Sequence, residues 1–317
     1  MGSLEVDTDV TRAVRSALAH VELRKLPWRE RPCEPWAVLV AETMLIQTQA
    51  PRVAEVYPHF LARFGTPAAL WSAGLVAVLE AWSGLGYYRR AERLWRGAGI
   101  IVERWGGECP REEAMLRTLP GVGRYVARAV AVQCGGLQGV PIDTNARRVL
   151  VRAVLGAPAT ERVLERAGSA LVEGGDADRL TQAIFDVGAQ WCRARPRCSE
   201  CPLEGSCRMC REGLADPWRP GRPQGAYEGS LRQVRARVLR VLLRGARGIA
   251  DLEELVGGDA ELLWQALDGL RSDGLVEDDG HGSWRVPQRP RGLPEGKSDC
   301  GDRNFPLGSA LDQEQVS

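Results

Sequence analysis

From residue 36 to residue 280 the chain repeats one pattern, apolar residues at helical spacing cut by glycine and proline. Alternating Val/Ile-rich runs are scarce, so a predominantly α chain is expected. Residues 8 to 24 add an amphipathic stretch, with Val10, Val14, Leu18 and Val21 on one face and Asp7 or Thr8 as its cap. The most apolar run, Trp36 to Ile46, is broken by Glu42 and is too short to span a bilayer. Met1 to Val10 is acidic and lacks an apolar core, so no signal peptide is expected. Together these predict an intracellular, cytoplasmic protein without a membrane partner. Hydrophobic residues make up 44% of the 317, which excludes wholesale disorder, and the length suggests two or three domains.

Lys+Arg number 42 against 41 Asp+Glu, a net charge of +1. That balance argues against a purely electrostatic nucleic-acid binder and leaves room for basic groups gathered on one face. Nearly all the cations are arginines. Lys25 and Lys297 are the only lysines, so a Schiff-base mechanism has two candidates. His20, His59 and His281 are far apart in sequence, which supplies a His-based zinc site or a Ser-His-Asp triad poorly.

Composition changes around 216–229, where Pro217, Pro220 and Pro223 mark a linker. Beyond it, Leu231, Val234, Val238, Val241 and Leu242 define a helix whose other face carries Arg232, Arg235, Arg237, Arg240 and Arg244. Helical patterns at 249–256 and 259–271 follow, and then two short runs flank Asp279-Gly280, a hairpin signal. Three helices and a hairpin describe a winged-helix-like module over 230–287. Residues 288–317 have no periodicity and read as a disordered tail.

Five of the nine cysteines lie between Cys192 and Cys210, and four spell Cys192-x5-Cys198-x2-Cys201-x5-Cys207. Thiols packed this tightly inside a cell bind metal more often than they pair. Four thiolates could hold zinc or a [4Fe–4S] cluster, and the wide first gap favours the cluster. Its role reads as structural. Arg193, Arg195 and Arg197 in the spacers are then placed to meet DNA phosphates.

Leu119-Pro120-Gly121-Val122-Gly123 joins a short helix ending near Thr118 to one starting near Arg124. Glycines there permit a tight turn and close backbone approach. The following helix N-terminus offers amides and a positive dipole to a phosphate. Twenty residues after Gly123 comes Asp143, at the head of Thr144-Asn145-Ala146-Arg147-Arg148-Val149. It can serve as an N-cap or as a functional carboxylate. Glu42 is a lone acid in an apolar helix, either on its exposed strip or desolvated, and desolvation would make it a general acid. Gln47-Thr48-Gln49 follows, polar side chains suited to base edges or to a gap in a duplex.

The combination resembles the helix–hairpin–helix DNA glycosylases related to endonuclease III, most closely the MutY-type adenine glycosylases. The matching segments, in family order over roughly residues 20 to 210, are LPWR (26–29), AETMLIQTQA (41–50), AWSGLGYYRRA (81–91), LPGVGRYVARAV (119–130), PIDTNARRVL (141–150) and the cysteines with CPL (201–203). The resemblance implies a mainly α, two-domain helix–hairpin–helix glycosylase core. Residues 1–28 and 138–215 would form a [4Fe–4S] cluster domain, and 29–137 a helical domain bearing the hairpin. It also implies double-stranded DNA with a mispaired or damaged base as partner, a nucleoid-associated location and a monomer.

Residue by residue, the resemblance makes Asp143 the carboxylate that stabilises the sugar cation, with Asn145 supporting it. Glu42 becomes the acid that protonates adenine. Tyr125 stands where bifunctional relatives carry a Schiff-base lysine, and neither lysine lies in a matching motif, so a monofunctional enzyme is expected. Gln47, Thr48, Tyr87 and Tyr88 correspond to residues that wedge into the duplex or meet the opposite guanine. Leu119, Gly121, Val122, Gly123 and Arg124 form the DNA-binding hairpin. Cys192, Cys198, Cys201 and Cys207 become the cluster ligands.

Three departures stand out. The first cysteine spacer is one residue shorter than the family's, and Cys210 could compete as a ligand. Ile46 replaces a glutamine of the family's QQTQ. Residues 230–287 do not resemble the Nudix-related domain that reads 8-oxoguanine in longer members. A thymine–guanine mismatch glycosylase and a noncatalytic iron–sulfur DNA-binding protein are the competing readings. The chemistry itself requires Glu42 protonated and Asp143 ionised at neutral pH, and an apolar helix against a polar helix entrance is expected to separate them so.

Overall fold

A computed structural model describes residues 6–30, 33–219, 225–257 and 259–287. The tail expected over 288–317 and part of the linker lie outside the described residues. Every long element is a helix, as the periodicity predicts.

Helix α1 (Thr8–Ala19) starts where Asp7 accepts from the amides of Asp9 and Val10. It closes at Ala19 rather than near 24, because the His20 and Val21 amides turn back onto Ala17 and Leu18. Then come a single 3-10 turn (Pro27–Arg29), α2 (Pro35–Leu45), α3 (Ala50–Arg63), α4 (Pro67–Ser72), α5 (Gly74–Ala81) and α6 (Arg89–Trp105). A proline within the first two positions starts α2, α3 and α4, where its missing N–H costs nothing. The hairpin pair is α7 (Glu113–Leu116) and α8 (Arg124–Gly135), the latter stopped by left-handed Gly136. Helix α9 (Thr144–Val149) runs into a π-helical segment, Leu150–Leu155, and then α10 (Glu161–Val172), α11 (Ala177–Gln190) and α12 (Arg208–Arg211).

Two hydrophobic cores organise these helices. One is built from α2 to α8 around Leu39, Met44, Phe60 and Trp82, all about fully buried. The other joins Val14 and Leu18 of α1 to Val149, Val154, Ile184 and Val187. Each such side chain contributes about 1.5–3 kcal/mol by leaving water. Tyr125 of α8 packs against both cores, which places it at the seam between them.

The C-terminal segment forms α13 (Leu231–Leu242), β1 (Arg247–Gly248), α14 (Ile249–Leu255), α15 (Ala260–Ser272), β2 (Glu277–Asp278) and β3 (Ser283–Arg285). The sheet is antiparallel in the order β1-β3-β2. Helices and hairpin stand where the pattern predicts them, whereas β1 is too short to leave an alternation. The apolar side chains of the C-terminal segment join the α2–α8 core, and Asp273 pairs with Arg89 of α6 at 3.1 Å. Asp273 also takes Arg235, and Arg232 turns back onto the Gly225 and Ala226 carbonyls. The basic face expected of α13 is therefore reduced to Arg237 and Arg240, with Arg244 just beyond, all exposed.

Cys33, ahead of α2, and Cys134, in the last turn of α8, are joined as a disulfide across a sequence separation of 101. Nothing in their spacing announces the pair. Among the described residues no helix is long and apolar enough to cross a membrane.

Candidate active site

Glu42 is 3% exposed, although α2 is one of the most apolar helices in the chain. It points at α8, where the Tyr125 hydroxyl donates to its Oε2 at 2.9 Å and Gln133 Nε2 donates to its Oε1 at 3.2 Å. Burial raises its carboxyl from an ordinary 4.5 to about 7, against the pull of those two donors. The nearby Asp143 charge raises it further and Arg29 lowers it. Burial and the two facing carboxylates hold the Tyr125 hydroxyl far above its usual range, so it stays a neutral donor.

Asp143 sits in extended backbone at the head of α9 and uses its two carboxylate oxygens differently. Its Oδ1 caps the helix by accepting from the Ala146 amide at 2.6 Å, and its Oδ2 accepts from Asn145 Nδ2 at 2.8 Å. The expected contrast in environment is weaker than the sequence suggests. Asp143 is itself raised by burial, because the seam encloses it, and the bonds from Ala146 and Asn145 and the Arg148 charge oppose that shift. These donors bind the ionised form better than the acid, and they are what favours a carboxylate here.

Asn145 is held in turn. Arg148 NH2 donates to its Oδ1 at 2.6 Å and to the Gly188 carbonyl at 2.8 Å, while Arg148 Nε donates to the Cys192 carbonyl at 2.7 Å. Gly188 makes this approach possible, since a Cβ there would lie 2.6 Å from Asn145 Cβ. Arg152, in the π-helical segment and 1% exposed, ties Asp216 to the Arg193 carbonyl and lies 3.5 Å from Cys192 Sγ. Two arginines spaced by four residues behind Asn145 were the available signal for this frame.

Cys192, Cys198, Cys201, Cys207 and Cys210 line one cavity with Arg152, Trp191 and Leu203. Among the described residues no three His, Cys, Asp or Glu side chains converge on one metal ion. A [4Fe–4S] cube needs no such convergence, because it takes one thiolate on each of four separated irons. The donor set is all sulfur and suits it. Cys210 lies against both Cys198 and Cys207. Arg193 and Arg197 are turned onto carbonyls of α11, and of the three spacer arginines Arg195 is exposed with no partner among the described residues.

The DNA-facing candidates gather at two places. In the hairpin, Gly121 has φ +78° and packs so closely on Arg93 that a Cβ would lie 2.8 Å from its Cδ. Leu119 is buried, Val122 half-buried, and no side chain caps α8 at Gly123. Arg124, also exposed, pairs with Glu165 at 2.8 Å. At the second place, Gln47 (φ 57°) and Tyr87 (φ 47°) are the non-glycine residues in left-handed backbone among those described. Such conformations cost of order 1 kcal/mol or more and collect at functional positions.

Arg90 ties this second place together. It donates to the Thr43 and Met44 carbonyls at 2.9 and 2.6 Å, which closes the C-terminal end of α2. It also donates to Thr48 Oγ1 at 3.0 Å and lies 5.6 Å from the Tyr87 ring centroid. Tyr88 is half-buried beside it, at the start of α6. On the other side of the site, Asp186 is fully buried and accepts from Arg24 and Arg29 at 2.7 and 2.8 Å. Lone charges inside helical patterns gave sequence reasoning no means of pairing them.

Residues 40–173 match the family model described as "HhH-GPD superfamily base excision DNA repair protein". The adenine DNA glycosylase of Mycolicibacterium smegmatis is 40% identical over 271 residues, covering 83% of this chain and 91% of that protein. The human adenine DNA glycosylase is 40% identical over 202 residues, 59% of this chain and 37% of its own length. A thymine-DNA glycosylase of Aeropyrum pernix is 36% identical over 58% of this chain and 86% of its own length. The fold matches an endonuclease III–DNA complex with a TM-score of 0.55 at 22% identity, over 66% of this chain and 99% of that one. The mycobacterial match is too long to end at the cysteine cluster, so it extends into residues 230–287. The chain therefore belongs to the adenine DNA glycosylases of the helix–hairpin–helix base-excision-repair superfamily.

Proposed function

We infer that this enzyme hydrolyses the N-glycosidic bond of adenine mispaired with 8-oxoguanine or guanine, without a lyase step. The observation that carries the reading is Glu42, a buried carboxyl held near pH 7 and bonded to Tyr125, with Asp143 close enough to raise it.

Adenine leaves poorly as an anion. Glu42 delivers its proton to a ring nitrogen of the extruded base while the sugar–base bond breaks, its electron pair going to the base. The sugar cation that develops is met by the Asp143 carboxylate, held by Ala146 and Asn145. Water adds at the same carbon, gives up a proton, and leaves free adenine and an abasic sugar. Tyr125 has no amine with which to hold that sugar covalently, so strand cleavage does not follow. Gln47, Thr48, Tyr87 and Tyr88 fill the space the base leaves, and the hairpin amides of 121–124 hold a backbone phosphate.

Cys192, Cys198, Cys201 and Cys207 would hold a [4Fe–4S] cluster that folds the loop after α11 upon itself. Such a cluster would fix the backbone at Cys192, whose carbonyl accepts from Arg148. Residues 230–287 act as a winged-helix-like module that clamps the duplex backbone and does not read the opposite base.

The test is single-turnover base release from duplexes carrying A opposite 8-oxoguanine, A opposite G, or T opposite G. Glu42→Gln and Asp143→Asn should each abolish release and keep duplex binding. The likeness to a thymine-DNA glycosylase supports a second reading, T opposite G, which release of thymine alone would establish.

A further inference from the structure

Glu42 accepts two hydrogen bonds from α8, and the chemistry above uses only that from Tyr125. Gln133 supplies the other, its Nε2 lying 3.2 Å from Oε1. Eight residues at about 100° each bring Gln133 to within roughly a quarter turn of Tyr125, so both face α2. The next residue, Cys134, is bonded to Cys33 at the approach to α2. The turn bearing Gln133 is thus tied covalently to the helix bearing Glu42.

The two donors are not equivalent. A hydroxyl can donate to a carboxylate or accept from a carboxylic acid, so Tyr125 stays bonded to Oε2 whether or not that oxygen carries the proton. An amide N–H can only donate, so it needs a bare oxygen. With Gln133 on Oε1, the proton is confined to Oε2, and the ionised form gains a bond that the acid form uses less well.

We propose that Gln133 is a positioning residue for Glu42, which occupies Oε1, keeps the transferable proton on Oε2, and sets the alkaline limit of base release. This rests on Glu42 being the general acid. The titratable and charged groups facing Glu42 are Tyr125 of α8, Asp143 ahead of α9 and Arg29 of the 27–29 turn. None of them replaces a donor at Oε1. The Gln133 bond lowers the Glu42 carboxyl within its overall rise, so removing it should extend activity to higher pH.

The experiment is single-turnover adenine release by the full-length holoenzyme from a duplex with A opposite 8-oxoguanine, followed from pH 5.5 to 9. Gln133→Leu removes the donor, and Gln133→Met does so with an unbranched chain of similar length should leucine pack badly. Circular dichroism and duplex affinity serve as folding controls. Either folded variant should move the alkaline limb upward by about one pH unit, with lower release at the acidic plateau and unchanged duplex affinity. An unmoved limb, or one displaced to lower pH, would overturn the proposal. Glu42→Gln separates this from the reading beneath it. If that variant still releases adenine, Glu42 is not the acid; if it is inactive while the Gln133 variants track the wild-type limb, Glu42 stands and the role of Gln133 falls.

Discussion

Arg148 donates to Oδ1 of Asn145 at 2.6 Å, and Asn145 in turn donates to Asp143. Because Arg148 also holds the Cys192 carbonyl, the carboxylate's position depends on a loop more than forty residues away. Arg148→Ala should lower single-turnover base release by about 100-fold, the cost of an ångström-scale misplacement at a reacting centre. Duplex affinity should change little. Equal losses in release and affinity would mean that Arg148 acts on DNA directly.

Glu42 contributes a pH dependence of stability as well as of rate. The folded chain keeps a proton up to about 7 that the unfolded chain releases near 4.5. Stability is therefore full below that window and falls as pH rises through it, by on the order of 3 kcal/mol. Glu42→Gln removes the ionisation, so its Tm at pH 8 should exceed the wild type's by about 5 °C. The gap should close at pH 4.5. A variant less stable at pH 8 would show that Tyr125 and Gln133 more than offset the burial.

Base release should decline as pH rises above about 7, where Glu42 loses its proton. The drop approaches tenfold per pH unit. A rate that climbs from pH 7 to 9 in single-turnover assays would assign Glu42 as a base.

The Cys33–Cys134 bond closes a loop of about a hundred residues, worth roughly 4–5 kcal/mol through the unfolded state. Reductant should lower the Tm of the wild type and leave the Cys33→Ser, Cys134→Ser double variant unchanged. Calorimetry under anaerobic conditions keeps oxidation of the cysteines at 192–207 out of the comparison. Equal melting of oxidised and reduced protein would show that the bridge adds nothing.

Anaerobically purified protein should be brown and hold about four irons per chain. Cys192→Ser, Cys198→Ser, Cys201→Ser and Cys207→Ser should each lose the iron, and Cys210→Ser should keep it. Stoichiometric zinc, or loss of iron with Cys210→Ser, would change the ligand set.

Arg237, Arg240 and Arg244 are exposed on α13 and in the turn that follows it. Replacing all three with alanine should weaken duplex binding equally on damaged and undamaged DNA. The slope of log affinity against log salt should become shallower by about 2–3. Loss confined to duplexes with 8-oxoguanine would make residues 230–287 a reading module.

The helical pattern, the glycines of the hairpin and the cysteine spacing are local, so helices, caps and candidate motifs could be read along the chain. Asp143 shows the limit of that reading, because a cap and a catalytic carboxylate look alike in one dimension, and the folded residue caps α9 with one oxygen while its other oxygen is held by Asn145. Glu42 shows it differently. Its apolar neighbours announced either burial or an exposed strip, and only the packing of α2 on α8 settled the matter by enclosing the carboxyl beside Tyr125. The pairs Arg148 with Cys192, Arg90 with Met44, Asp186 with Arg29 and Cys33 with Cys134 join residues distant in sequence. No periodicity records them, since a long-range contact depends on how two cores meet, and that geometry is set by side-chain packing across the whole chain.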